Sequence, residues 1–104
     1  MNAADVERIL GASAAEGDLG LRLVAFADDG VVLALPLQPR FLQGHGIVHG
    51  GVLATLADSA AVLALFPRAG DAARGLSSIE FKLNFVRPAV LDAGDVQAHA
   101  RVLR

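Results

Sequence analysis

The chain has 104 residues, 54% of them apolar and 19% charged, with a net charge of −2 and no cysteine. That length suits one small domain, and the apolar share supports a packed core and excludes a disordered segment. The lack of any Lys/Arg cluster argues against nucleic acid as a partner, because phosphate binding needs concentrated basic surface; the lack of cysteine excludes disulfides and thiolate metal sites.

Met1 to Leu10 lacks the basic start and long apolar stretch of a signal peptide, so the expected setting is the cytoplasm. Asn2 is placed to cap a short helix through Leu10, with Asp5 and Glu7 in its early turns and Gly11 at its end. Leu21–Ala27 and Val31–Leu35 read as two strands around the turn Asp28-Asp29-Gly30, and Pro36 and Pro39 then interrupt regular structure.

A loop rich in glycine and histidine, Gln43-Gly44-His45-Gly46-Ile47-Val48-His49-Gly50-Gly51, runs into a helical pattern ending near Phe66, ahead of Pro67 and Gly70. The pattern is apolar on nearly every face, which predicts a helix buried all round. The longest apolar run, Val52–Phe66, is too short to span a bilayer and carries Asp58 and Ser59, so no membrane is expected. Ser78–Arg87 alternates as a strand, with Ile79, Phe81, Leu83 and Phe85 on one face, and Val96, Ala98, Ala100 and Val102 alternate in another. The order predicts an α+β domain in which an antiparallel sheet wraps a long central helix.

Chemistry is expected at His49-Gly50-Gly51 and at Asp58. Glycines at a helix start leave backbone N–H groups uncovered where the helix dipole adds positive potential, a setting that suits a developing oxyanion. The plain alternative is a tight turn and nothing more. Asp58 sits in an otherwise apolar helix, where a carboxylate is costly unless it is paired or has a task. Gly50 and Asp58 are eight residues apart, roughly 12 Å along a helix, whereas a polarised carbonyl and an activated water must come within about 3 Å. One chain cannot easily supply both, so a twofold dimer combining Gly50 of one subunit with Asp58 of the other is expected. His45 and His49 are four apart but straddle Gly46, and no third ligand is suitably spaced, so no metal is expected.

The stretch from Gln43 to Asp58, with His49-Gly50-Gly51 and an acid nine residues after the histidine, resembles the signature of hotdog thioesterases of the phenylacetate-degradation (PaaI) type. Ser77–Ala89, with its Pro88-Ala89 ending, is similar to the family's third strand. The resemblance implies hydrolysis of acyl-CoA thioesters, medium-chain or aromatic, without metal or cofactor beyond the coenzyme A of the substrate. It assigns the Gly50 amide to carbonyl polarisation, with help from the Gln43 side chain and with His49 shaping the loop. Asp58 becomes general base or nucleophile and Ser78 helps to place the water. Gly51 and Ser77 are the further substrate-contacting candidates. The implied assembly is a homodimer or a tetramer of paired dimers. Family members continue with further strands beyond the position of Arg104, so residues 1–104 are expected to form one hotdog domain lacking the last one or two strands. The alternative function on the same fold is a non-catalytic acyl-CoA-binding or assembly subunit.

Overall fold

The computed structural model describes residues 1–103. Helix α1 spans Ala3–Ala12. Its start is a reciprocal cap: Asp5 N–H donates to Asn2 Oδ1 at 3.0 Å, and Asn2 N–H donates to Asp5 Oδ2 at 2.8 Å. The helix continues through Gly11 and ends at Ser13, whose N–H and hydroxyl both donate to the Ile9 carbonyl. Val6 and Leu10 face the core. A second short helix, α2 (Ala14–Leu19), follows without having been expected, and Gly20 closes it in the left-handed region, φ 78°.

Strands β1 (Arg22–Ala27) and β2 (Gly30–Leu35) form the expected hairpin, irregular between Leu23 and Ala25. Strand β3 (Val96–Arg101) pairs antiparallel with β2, giving the order β1-β2-β3. Gly30 is required by this pairing: a Cβ there would lie 2.7 Å from the Ala100 carbonyl oxygen. The central strand carries the core, with Val31, Leu33, Ala34 and Leu35 buried.

Helix α3 (Gly50–Ala69) lies across β2 and β3. Leu56, Ala60, Leu63 and Ala64 recur at helical spacing and are buried with Leu33, Leu35, Phe41 and Val48. Burial is therefore confined to one stripe rather than extending all round, because three strands cover one side only; Ala61 and Leu65 remain exposed. The helix also passes Pro67 by two residues. Proline removes one donor near the C-terminus, and the final turn still closes through Gly70 N–H to the Phe66 carbonyl. Extended into the following turn, Gly50–Ala73 is long and apolar enough to cross a membrane by length and composition alone, which corrects the reading from the shorter run. Packing against the sheet buries 28% of that apolar window.

The predicted strand over Ser78–Arg87 joins no ladder. A strand needs a neighbour for its N–H and C=O groups, and an open cleft of about 790 Å³ separates Leu83–Arg87 from β3. Ile79 is 99% exposed and Val86 86% exposed. The segment is tied at its end, where Val48 N–H donates to the Ala89 carbonyl at 2.9 Å.

Candidate active site

The loop before α3 is tightened by its own backbone. Gln43 N–H donates to the Ile47 carbonyl at 2.8 Å, Gly46 N–H donates to the Gln43 carbonyl at 3.1 Å, and Gly46 takes φ 81°. The Gln43 side-chain oxygen accepts from His45 N–H, which leaves the Gln43 amide nitrogen as a donor. His49 N–H is anchored on the Phe41 carbonyl at 2.7 Å. These bonds fix where the helix begins.

His49 is the N-cap of α3, and its Nδ1 accepts from Gly51 N–H at 2.8 Å. The imidazole therefore satisfies one of the orphan donors of the helix start. That bond requires an unprotonated Nδ1, so in the neutral ring Nε2 carries the proton. Gly51 N–H is occupied, whereas Gly50 N–H makes no hydrogen bond among the described residues. The capping bond thus singles out Gly50 as the free donor at the positive end of the helix. Its neighbour is Phe85: a Cβ at position 50 would lie 3.1 Å from Phe85 Cζ.

Asp58 is half-buried on α3. Its Oδ1 accepts from the Ser78 hydroxyl. Of the two candidate serines, Ser78 therefore reaches the carboxylate, while Ser77 lines the same pocket. The Ser59 hydroxyl does not join them; it donates to Glu16 Oε1 at 2.9 Å. Glu16 was not singled out from the sequence. The spacing Ser13-x-x-Glu16 is a helix-start pattern that would have revealed α2, though not its contact with Ser59.

Within one chain the candidates fall into two groups. Gln43 and Gly50 line a pocket of about 440 Å³ with Phe85 and Arg87. Asp58, Ser77 and Ser78 line another of about 270 Å³ with residues of α1 and α2. Neither pocket contains a candidate from the other group. His99 contacts Gln97 on the exposed face of β3, apart from both.

A long helix laid across an antiparallel sheet is the arrangement of a hotdog-type domain. Residues 45–104 match the model of the thioesterase superfamily, more than half of the chain, and the chain belongs to that family. In structure it is similar to a conserved protein of Pseudomonas aeruginosa, with TM-score 0.77 and 30% identity over 93% of this chain and 75% of that one. It is also similar to the Escherichia coli PaaI protein from the phenylacetic acid degradation operon, with TM-score 0.77 and 25% identity over 97% of this chain and 70% of that one. In sequence it is 32% identical over 90 residues to a presumptive esterase of Haemophilus influenzae, covering 85% of this chain and 62% of that protein. The chain spans less than two thirds of the length of the curated relatives it matches.

Proposed function

We propose that this domain hydrolyses acyl-CoA thioesters to the free acid and coenzyme A, in the cytoplasm and without metal or cofactor. The observation that carries the reading is the division of polar groups: a free amide at one helix start, and a carboxylate held by a serine hydroxyl eight residues along. The thioester carbonyl oxygen lies on the Gly50 N–H of one subunit, assisted by the Gln43 amide and the helix dipole. Asp58 of the other subunit, oriented by Ser78, takes a proton from water as the water oxygen attacks the carbonyl carbon. The C–S bond then breaks, and coenzyme A leaves as a thiolate that acquires the proton. Direct attack by the carboxylate, followed by hydrolysis of the resulting anhydride, uses the same placement.

The two pockets of one chain support a homodimeric site, alone or in a tetramer of paired dimers. The exposed apolar segment carrying Ile79, Phe81 and Val86 supplies a surface that a second copy would cover.

The test is release of free thiol across a panel of acyl-CoA esters. Asp58→Asn is expected to lower turnover by at least roughly a hundredfold while retaining affinity for a non-hydrolysable thioether analogue. Equal turnover in the variant would remove Asp58 from the mechanism. Binding of the analogue with no thiol release from any ester would establish a non-catalytic acyl-CoA-binding subunit instead.

A further inference from the structure

The loop that delivers Gly50 is held from outside as well as by its own backbone. A single 3-10 turn, Pro39–Phe41, stands between β2 and that loop. Phe41 ends the turn with its side chain buried, and its carbonyl accepts from His49 N–H at 2.7 Å. The start of α3 therefore follows Phe41. Arg40, one residue earlier, fixes where Phe41 lies. Its Nε donates to Gln38 Oε1 at 2.9 Å and its Nη2 donates to the Asp18 carbonyl. Its guanidinium carbon lies 4.8 Å from the centre of the Phe41 ring. The Asp18 carbonyl belongs to the last turn of α2, where helix carbonyls lack intrahelical partners and where α2 has no basic residue of its own. Helix α2 is tied in turn to the middle of α3, where the Ser59 hydroxyl donates to Glu16 Oε1 at 2.9 Å. These contacts close a circuit. It runs from Ser59 through Glu16 and Asp18 to Arg40 and Phe41, and it returns to α3 at His49.

We infer that Arg40 is a positioning residue for the Gly50 amide: it clamps the turn before the loop to α2, and through Phe41 and His49 it holds the start of α3 in the geometry that leaves Gly50 N–H free. Its effect on turnover rests on the thioesterase reading, and its effect on the loop rests on geometry alone. The guanidinium suits this task because it stacks on an aromatic face while its fork donates in two directions at once, whereas an ammonium is a single point of charge. Arg40 is exposed, so its contribution to global stability is small. Turnover is far more sensitive to geometry, since a misplacement of about 1 Å can lower a rate by roughly a hundredfold. The two effects of removing the clamp should therefore separate.

The experiment compares the unmodified full chain with Arg40→Met, which keeps an apolar stem over Phe41 and removes both donors. Amide exchange followed by NMR reports on His49 and Gly51 N–H, with Leu33 of β2 as internal reference, and thiol release from acyl-CoA esters gives kcat and KM. Exchange at His49 and Gly51 is expected to rise about tenfold while Leu33 is unchanged. Turnover should fall roughly fivefold in kcat with KM held within about twofold. Arg40→Lys keeps the charge and one donor and recovers part of both losses; it decides the matter if Arg40→Met melts early. Glu16→Ala opens the same circuit at another point, so combining it with Arg40→Met should exchange no faster at His49 and Gly51 than the faster single variant. Unchanged protection at those two amides in a folded variant, or acceleration shared equally by Leu33, would overturn the clamp and leave the thioesterase reading intact. Absence of thiol release from the unmodified chain would remove that reading instead, and the exchange rates would still decide the clamp.

Discussion

The Ser78 hydroxyl donates to Asp58 Oδ1, joining an apolar helix to an extended segment twenty positions further along the chain. The bond fixes one carboxylate oxygen, and the other makes no hydrogen bond among the described residues. Ser78→Ala removes that orientation without changing the charge of Asp58. Hydrogen bonds to charged groups contribute about 1.5–3 kcal/mol, and the exposure of Ser78 places this one at the lower end. We predict a fall in kcat of roughly tenfold with little change in KM, and recovery in Ser78→Thr. Steady-state thiol release measures both; a kcat within twofold of the unmodified protein would show that Asp58 needs no such support.

The cap at the start of α3 makes a separate prediction about stability. His49 Nδ1 accepts from Gly51 N–H, and a Cβ at position 51 would lie 3.0 Å from that same nitrogen. His49→Ala deletes the cap and is expected to cost about 1 kcal/mol. Gly51→Ala presses on the ring and weakens the cap, but the higher helix propensity of alanine offsets part of that loss, so it should cost less than His49→Ala. Urea denaturation of the two single variants and of the double variant checks this. Additive losses would mean that the two changes do not act on one bond.

Much of this arrangement could be read from residues alone where the signal is local. Asn2 announces a helix start with Asp5 in its first turn, and the structure adds that the two cap each other reciprocally. Asp28-Asp29-Gly30 between two apolar runs announces a hairpin. Other features depend on partners distant in sequence. The alternation over Ser78–Arg87 says which side chains share a face, but a ladder depends on a neighbouring strand that no pattern in the segment can supply. The need for glycine at position 30 comes from the Ala100 carbonyl, and the role of Glu16 comes from Ser59. Six-residue α2 is too short for periodicity to separate it from a loop. At the site, the helix start and the acid were visible in sequence, whereas the occupation of Gly51 N–H by His49 emerged only from geometry.

The start of α1 predicts a pH response. The Asp5 carboxyl is held below its ordinary range, first by the backbone N–H of Asn2 and then by the Arg8 guanidinium. A carboxyl whose folded value is lowered adds stability above its unfolded value, and that contribution disappears as pH falls through the folded value. The cap is therefore intact above about pH 4, the ordinary carboxylate range, and weakens below it. Amide exchange in Ala3–Leu10 should rise on acidification relative to β2, and Asp5→Asn should remove that pH dependence. Identical acid responses in the two proteins would show that the cap does not govern the end of the helix.

The proposed division of the site between subunits can be tested by complementation. Gly50 is the first residue of α3, a position that proline favours, and His49 before it has φ −60° and ψ 132°, values compatible with a following proline. Gly50→Pro thus deletes the N–H at a position compatible with the helix start; a Cβ there already comes 3.1 Å from Phe85 Cζ, so the Phe85 ring must shift. Loss of one such donor is expected to reduce kcat by about 10²–10³. Asp58→Asn disables the other half. Unfolded together in urea and refolded as a mixture, the two variants form mixed dimers in which one site carries both defects and the other carries neither. Half of the dimers are mixed and each has one intact site, so the mixture should recover roughly a quarter of the unmodified rate. Groups supplied by a single chain would leave every site defective, and the refolded mixture would then stay at the level of its parents.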